Sequence, residues 1–384
     1  IVHKSELVTK ESIMSNIISK YILPLSLFVC TQLQAQTLKI GTYEFKDGAQ
    51  YNGEIRAGKP HGKGKTVFKN GDTYEGEYVK GKRQGHGVYQ FTDGEKYEGQ
   101  WYQDQQHGKG VFYFKNNNRY DGLWYRDYQQ GTGKMYYYNG DVYQGDWKAD
   151  KREGQGTYTY STGAYYKGSW LDDKKSGNGV FDWNDGSRYS GSWSNNQRNG
   201  KGTFTYSDGD TYIGDWKDDI QNGRGIYKFR NGDTYEGQYV NGERTGEGIF
   251  TFANGNKYTG NFLGGEFNGQ GTYIWKNSAR YEGNWKNNLR DGVGKYTWKN
   301  GNTYEGQWKN GEMNGEGILR FADGGKFKGN FKNGKKEGVG IEERKDGTRF
   351  EGHFHNGMKD GAFVEKDANG NTTRKGTYRN DVLQ

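Results

Sequence analysis

The chain repeats itself every 23 residues over most of its length, with no insertion between units. Each unit begins at an aromatic residue, which we call the anchor and number position 0, and glycine follows at positions 2 and 11 of every unit. The fourteen anchors are Tyr51, Tyr74, Tyr97, Tyr120, Tyr143, Tyr166, Tyr189, Tyr212, Tyr235, Tyr258, Tyr281, Tyr304, Phe327 and Phe350. A fixed period of this length indicates an array of stacked structural units rather than separate globular domains.

Two further positions carry the same signal. Position 4 is aromatic in all units but the first, and position 13 is glycine in all but the last. Aromatic and glycine positions therefore alternate with polar ones, as in YEGQW from Tyr97 to Trp101. Because a period of two indicates β-strands, we predict one strand around positions 0–4 and a second around positions 11–17, joined by a six-residue loop at positions 5–10.

The glycines have a predicted structural purpose. If position 4 faces position 11, glycine 2 faces glycine 13 and the anchor faces position 15. The glycines then clear space, so that tyrosine and tryptophan rings can lie flat over the backbone. The structural glycines singled out on this basis are Gly76, Gly85, Gly87, Gly99, Gly108 and Gly110.

The connection between units carries Asn-Gly or Asp-Gly, as in Asn70-Gly71 and Asp93-Gly94. This pair usually forms a two-residue type I′ turn. A two-residue loop, however, would place the aromatic residues of successive strands on opposite faces. We therefore predict a three-residue loop whose glycine adopts the left-handed conformation, which keeps the aromatic residues on one face.

The predicted fold is all-β: a single-layer antiparallel β-meander solenoid of 23-residue hairpin repeats, about 14 units long, elongated and twisted. The predicted parts of the mature chain are an N-terminal half-repeat cap at 36–50, the repeat array at 51–370 and a C-terminal cap or tail at 371–384. Near the C-terminus, Glu342 and Glu365 stand where aromatic residues belong, as expected of polar terminal units.

Composition supports a thin repeat array. A mean hydropathy of −1.18 and a hydrophobic fraction of 30% would by themselves suggest disorder. The 11 tryptophans and 32 tyrosines argue against disorder, and a solenoid needs less apolar content because each unit buries surface mainly on its neighbours. The net charge of +8 is mild for 384 residues, so we do not expect a nucleic-acid partner.

Residues 1–35 do not follow the repeat. From Met14 the chain has a basic residue, Lys20, then a short apolar core at 22–29, and a plausible cleavage motif that ends at Ala35. The core is too short to span a bilayer as a helix. We interpret 1–35 as an upstream extension plus a signal peptide, and we expect export to the periplasm, the outer surface or the medium.

The frame YEGxWxxGxxxGxG resembles the MORN (membrane occupation and recognition nexus) repeat, and we place the chain with an exported, bacterial type. The segments at 74–96 and 304–326 match the repeat closely, and the resemblance covers residues 38–370. It implies a β-hairpin solenoid that acts as a scaffold in protein association and in attachment near membranes. In plant phosphatidylinositol-phosphate 5-kinases and a histone-lysine methyltransferase such repeats precede a catalytic domain. About fifteen residues follow the last unit here, so we predict no enzymatic activity and no cofactor.

The aromatic face is the candidate binding site. Core packing is the simplest role for these rings, but a single-layer sheet cannot bury both faces of each one, so a groove stays open or a second chain covers it. Tyrosine and tryptophan rings flanked by asparagine and aspartate would suit stacking on peptides or sugars. The candidate residues are Tyr97, Trp101, Tyr120, Trp124, Tyr143, Trp147, Tyr166, Trp170, Tyr189, Trp193, Tyr212 and Trp216.

Other chemistry receives little support from the sequence. His353 and His355 share a strand face, but no third ligand is indicated, and we predict no metal site. Paired acids such as Asp172-Asp173 are interpreted as solvated loop charge, and the basic residues of positions 5–10 form no continuous stripe of the kind that anionic lipid or nucleic acid would need. We predict a non-enzymatic scaffold for protein–protein or self-association at the cell envelope. The alternatives are a glycan-binding module that uses the aromatic groove and a peripheral binder of anionic phospholipid.

Overall fold

The structure, a computed structural model, describes residues 37–384, and the predicted extension and signal peptide lie outside the described residues. Thirty-one β-strands form one sheet, and the described residues contain no helix. In chain order the strands are β1 (Lys39–Glu44), β2 (Gln50–Arg56), β3 (Lys59–Val67), β4 (Thr73–Val79), β5 (Lys82–Gln90), β6 (Lys96–Tyr102), β7 (Gln105–Tyr113), β8 (Arg119–Tyr125), β9 (Tyr128–Tyr136), β10 (Val142–Lys148), β11 (Lys151–Thr159), β12 (Tyr165–Leu171), β13 (Lys174–Asp182), β14 (Arg188–Ser194), β15 (Gln197–Thr205), β16 (Thr211–Lys217), β17 (Ile220–Lys228), β18 (Thr234–Val240), β19 (Glu243–Thr251), β20 (Lys257–Leu263), β21 (Glu266–Ile274), β22 (Arg280–Lys286), β23 (Leu289–Thr297), β24 (Thr303–Lys309), β25 (Glu312–Arg320), β26 (Lys326–Lys332), β27 (Lys335–Glu343), β28 (Arg349–His355), β29 (Met358–Lys366), β30 (Thr372–Arg379) and β31 (Val382–Leu383).

Every strand pairs antiparallel with the strand before it and the strand after it, so the sheet is a continuous meander. Each unit supplies a strand of 7 residues and a strand of 9 residues, as β4 and β5 illustrate. The predicted all-β, antiparallel meander of 23-residue hairpins is confirmed.

The pairing register places glycines opposite glycines in every hairpin except the last, where Gly352 pairs with Phe363. Gly76 pairs with Gly87 within a hairpin, and Gly87 pairs with Gly99 of the next unit. The anchors follow the same rule, since Tyr74 pairs with Tyr89 at position 15. The paired glycines at positions 2 and 13 thus form one row across the sheet, which we call the glycine row.

The anchor rings lie directly over the glycine row. A Cβ atom built on Gly87 would lie 2.2 Å from the hydroxyl oxygen of Tyr74, and one built on Gly110 would lie 2.3 Å from that of Tyr97. Each hydroxyl also donates a hydrogen bond to a backbone carbonyl, as Tyr97 does to Gln100 at 2.9 Å. The tyrosine ring therefore occupies the space that a side chain at the glycine position would need.

The connection between units has the predicted three-residue loop. The Phe91 amide donates to the Glu95 carbonyl at 2.9 Å, and the Gly94 amide donates to the Phe91 carbonyl at 3.2 Å. Gly94 has a φ of +99°, which a residue with a side chain rarely adopts. This geometry keeps the aromatic residues of successive strands on one face.

The predicted six-residue loop at positions 5–10 is wrong. Strand β4 ends at position 5, strand β5 begins at position 8, and only Lys80 and Gly81 lie between them. Their φ values of 52° and 84° are both positive, as a two-residue type I′ turn requires. Asparagine, aspartate and glycine tolerate these angles, and they dominate positions 6 and 7 along the chain.

The predicted pairing of position 4 with position 11 inside a hairpin is also wrong. Tyr78 at position 4 pairs with Arg83 at position 9, and Glu77 alone lies opposite residues 84–86. This β-bulge takes up the extra residues and places Gly85 at a φ of +68°. Gly85 instead pairs with Trp101 of the next unit. Gly85 and Gly108 therefore serve the bulge, whereas the other predicted structural glycines make room for rings.

The two ends of the sheet continue the pattern by half a unit. Gly41 pairs with Gly53 and Tyr43 pairs with Tyr51, so β1 is placed as the second strand of a preceding unit. At the other end Phe363 pairs with Gly376 after the last full repeat, and β30 takes the place of a further first strand. The pairing there shifts by one residue next to Glu365.

Candidate binding surfaces

The two faces of the sheet differ in chemistry. One face, which we call the aromatic face, carries the side chains of positions 0, 4, 9, 15 and 17. The opposite face carries the mostly polar side chains of positions 1, 3, 12 and 14, and we call it the groove face. The division follows from the alternation of side chains along each strand and from the ring contacts described next.

The structure brings the twelve predicted aromatic site residues together in one ladder. Trp101 meets its own anchor, Tyr97, at a ring-centroid distance of 5.2 Å and an interplanar angle of 89°. It meets the preceding anchor, Tyr74, at 5.2 Å and 84°. These edge-to-face contacts recur from unit to unit. Each tryptophan therefore joins two units.

The ladder is the core of the molecule. The six predicted tyrosines, from Tyr97 to Tyr212, are 0% exposed, and the six tryptophans, from Trp101 to Trp216, are 5–6% exposed. Burial raises the pKa of Tyr189 to about 12, where the Arg198 guanidinium acts in the opposite direction. The rings are covered by one another, so a partner would meet this face through the residues that surround the ladder.

Basic side chains at position 9 cover the ladder, and the sequence interpretation missed them. The Arg152 guanidinium lies 4.3 Å from the ring centroid of Trp170, and Arg83 and Arg198 make the same contact with the next tryptophan. Arg152 also bonds to the Asp173 carboxylate at 3.0 Å. These charges are therefore packed against rings. Position 9 is basic in eight units, which is the signal that could have identified the contact.

Solvent reaches the aromatic face along positions 15 and 17, chiefly at position 17, because Phe181 and Phe250 at position 15 are buried. Here the rings form an unbroken strip from Tyr137 to Trp298, with successive centroids 4.4–5.9 Å apart. The rings at position 17, such as Trp183 and Trp298, are half-buried. The open aromatic surface therefore lies beside the ladder of predicted site residues.

The groove face contains an open groove of about 1060 Å³ that extends from Lys201 to Gly283. Its floor is the glycine row, whose rings lie on the other side of the sheet. Three isoleucines line it: Ile213 pairs directly with Ile226 on the next strand, and Ile249 lies two strands further on, with Glu236 of the strand between them opposite both Ile226 and Ile249. The sequence interpretation did not consider this face.

Charges in the groove are only partly paired. Lys201 bonds to Asp215 across the sheet at 3.0 Å. Glu236 and Glu247 are exposed and make no side-chain hydrogen bond or ion pair with another residue of the described chain. The groove thus joins an aliphatic patch to two carboxylates that are available to a partner.

The described chain contains little that suggests other chemistry. Among residues 37–384, no three His, Cys, Asp or Glu side chains are grouped closely enough to hold a metal ion. His355 instead lies 3.1 Å from the Glu337 carboxylate. Asp173, interpreted above as solvated, accepts a hydrogen bond from the Arg152 amide at 3.0 Å and so ties its turn to the preceding unit. No helix in the described part is long and apolar enough to cross a membrane.

These features define a class: a single-layer array of β-hairpins in which each unit packs its rings on the next. The family assignment follows from a direct comparison. The sequence profile of the MORN repeat matches fourteen consecutive segments between residues 51 and 372, each 23 residues long, so the chain belongs to the MORN repeat family. No curated protein sequence matches it.

Solved structures show only weak likeness. One is the TCP domain of SAS-4 (dCPAP) of Drosophila melanogaster in complex with a proline-rich motif of Ana2 (dSTIL). The match has 18% sequence identity, covers 40% of this chain and 84% of the other, and has a TM-score of 0.27. Another is the wild-type TCP10 domain of Danio rerio CPAP, at 13% identity, 70% of this chain, 99% of the other and a TM-score of 0.23. A streptogramin B lyase scores 0.13 at 12% identity, over 69% of this chain and 89% of the other. Scores this low support no inference about function.

Proposed function

We propose that this MORN repeat protein is a binding scaffold whose groove face holds an extended segment of a protein partner. The observation that carries the proposal is the open groove between Lys201 and Gly283, where three isoleucines stand among glycine, threonine and charged residues. The rings of the aromatic ladder, in contrast, are buried against one another. Open concave surfaces with apolar walls and a few polar groups are the usual sites of binding.

The chemistry of the groove favours a particular kind of segment. Ile213 is 38% exposed and its cross-strand neighbour Ile226 is half-buried, so an aliphatic side chain placed on this pair would remove apolar surface from water. Glu236 and Glu247 stand close by without a basic partner. A segment that alternates aliphatic and basic side chains would satisfy both features. Electrostatic complementarity of this kind sets partner choice more than affinity.

A peptide panel tests this function. We expect the full chain to bind a peptide of alternating lysine and leucine, and to bind a matched peptide of alternating glutamate and leucine much more weakly. Ile213→Ser should lower the affinity for the lysine peptide about five- to tenfold, because a buried aliphatic contact is lost. Isothermal titration calorimetry measures both quantities.

Ile341→Ser is the matched control for this experiment. Ile341 lies on the same face, is 37% exposed and stands outside the groove, so its replacement should leave the affinity unchanged. If the two peptides bind with equal affinity, or if the two variants lose affinity equally, the groove is not the binding site. A mass that rises with protein concentration in light scattering, and falls in Ile213→Ser, would instead assign the groove to a second copy of the chain.

The place of action is a proposal from the sequence alone. The segment from Met14 to Ala35 supports export, so we propose that the scaffold works at the cell envelope. We expect the N-terminal sequence of protein recovered outside the cytoplasm to begin near Gln36. An intact N-terminus on protein retained in the cytoplasm would contradict export, while the groove experiment would be unaffected.

A further inference from the structure

Exposed aromatic side chains are concentrated in one short part of the array. Five aromatic residues of the described chain are well exposed, all five are tyrosines, and all lie between residues 102 and 138. They are Tyr102 at 49%, Tyr113 at 37%, Tyr125 at 48%, Tyr128 at 54% and Tyr138 at 76% exposed. Exposed aromatic rings that cluster on one surface usually mark a binding site.

Three of these tyrosines occupy positions that the repeat does not require to be aromatic. Tyr102 and Tyr125 stand at position 5 of adjacent units, and Tyr128 stands at position 8. Lysine, valine, leucine or serine fills position 5 in most other units, and none of the other twelve has an aromatic ring of the Phe, Tyr or Trp type there. Because the fold forms equally well without these rings, local departures of this kind point to function.

The rings form a small platform around His107. The centroid of the His107 ring lies 5.5 Å from that of Tyr102 and 5.2 Å from that of Tyr125, with tilts of 48° and 51°. Tyr128 pairs with Tyr125 across the hairpin turn. We call Tyr102, His107, Tyr125 and Tyr128 the tyrosine platform. The Arg126 guanidinium lies 5.2 Å from the Tyr125 centroid at its edge.

His107 lacks the bond that its position makes elsewhere. In neighbouring units the side chain at position 10 accepts a hydrogen bond from the backbone amide at position 6 of the next unit. Gln84 accepts from Gln103 at 3.3 Å, and Gln130 accepts from Ala149 at 3.3 Å. The Nδ1 atom of His107 is buried and has no hydrogen-bond partner among the described residues. The imidazole is thus held by the two tyrosine rings, and one polar atom beside the platform is unpaired.

We propose that the tyrosine platform binds a linear β-1,4-linked carbohydrate by ring stacking. Tyr102 and Tyr125 are separated by two strand spacings, about 10 Å. That is close to the length of a β-1,4-linked disaccharide, in which every second sugar presents the same face. Two rings at this spacing can therefore stack on alternate sugars, since the faces of sugar rings are lined by C–H groups that suit aromatic rings. Gln103 follows Tyr102 in the turn and Gln105 pairs with Tyr102, so two amide side chains that can hydrogen-bond to hydroxyls lie beside this ring in the hairpin.

This site is independent of the proposed protein-binding groove. The platform lies in the third and fourth units, whereas the groove lies between Lys201 and Gly283. The platform carries rings and amides where the groove carries isoleucines and unpaired glutamates. Loss of one activity should therefore leave the other intact.

Binding of defined tetrasaccharides to the full chain tests the proposal. We expect chitotetraose or cellotetraose to bind saturably, with an affinity that is the same at low and high salt. Maltotetraose, whose α-linkages curve the chain, should bind at least tenfold more weakly. Tyr102→Ala and Tyr125→Ala should each lower the affinity for the β-linked sugar about fivefold to tenfold, the loss of one stacking contact. Saturation-transfer NMR and calorimetry give the affinities.

Tyr138→Ala is the control, because Tyr138 is the most exposed tyrosine and lies outside the platform. It should bind the sugar as the unaltered chain does, and circular dichroism should show an intact sheet in all three variants. The proposal is overturned if neither β-linked sugar binds saturably, if maltotetraose binds equally well, or if all three variants bind alike. If the unaltered chain binds no sugar and Tyr102→Ala no longer binds the lysine–leucine peptide, the platform is a protein-binding site instead.

Discussion

Gly110→Ala should destabilise the array by about 3 kcal/mol, although it adds a single methyl group. The new Cβ atom would lie 2.3 Å from the hydroxyl oxygen and 2.6 Å from two ring carbons of Tyr97, which is 0% exposed and has no room to retreat. Gly110 has no left-handed φ, so the cost comes from the ring and not from backbone strain. Urea unfolding followed by tryptophan fluorescence and circular dichroism measures the effect.

Two comparisons separate the ring contact from other causes. Gly94→Ala probes backbone strain alone, because Gly94 has a φ of +99° and nothing within 4 Å of an added Cβ; it should cost about 1–2 kcal/mol. In a Tyr97→Ala background, Gly110→Ala should cost almost nothing further, since the ring is absent. A cost for Gly110→Ala that is small, or that persists without the ring, would show that the glycine row has another purpose.

Trp170→Ala should destabilise the middle of the array by about 3–5 kcal/mol. The indole packs edge-to-face on Tyr143 at 5.4 Å and on Tyr166 at 5.2 Å, and Arg152 covers it. Its removal weakens the contact between two units more than either unit itself. Because a repeat array is stabilised mainly between neighbours, the single unfolding transition should separate into two.

The matched change at the end of the array is Phe354→Ala. Phe354 holds the same position in the last unit, is 3% exposed and contacts Phe327 at 5.1 Å. Few units lie beyond it, so its loss should fray the C-terminal end and leave one main transition. One unchanged transition in Trp170→Ala would mean that the array unfolds as a whole. Two transitions in Phe354→Ala would mean that the division does not depend on where in the array the contact is lost.

The alternation of side chains between the two faces of each strand made most of the fold predictable. The pairing of Gly76 with Gly87, and the three-residue loop at Gly94, both follow from keeping all rings on one face. The β-bulge at Gly85 could not be found in this way, because a bulge interrupts the period of two on which the argument depends. The misplaced loop concealed the role of Arg83 and its equivalents, which were counted with the loop although they lie over rings.

The candidate sites were less predictable than the fold. The rings of Tyr97 and Trp101 stand out in the sequence because every unit needs them, and for that reason they are buried. Ile213 and Tyr102 stand at positions that vary from unit to unit, so a search for what repeats passes over them. In a repeat array, the residues that recur in every unit indicate the fold, and the residues that differ between units indicate where a partner binds.

The glycine row restricts the length of the sheet to whole numbers of repeat units. Since all fourteen units share one register, a gene could gain or lose whole units of 23 residues and leave every remaining ring on its glycine. A single inserted residue inside the array would turn all later rings to the wrong face. The chain carries such a one-residue offset beside Glu365, beyond the last paired glycines, and the shift in pairing there lets Tyr378 contact Phe350 at 5.9 Å and Phe363 at 4.7 Å. The distance between the two ends, and between any sites carried along the sheet, is therefore adjustable in evolution only by fixed increments.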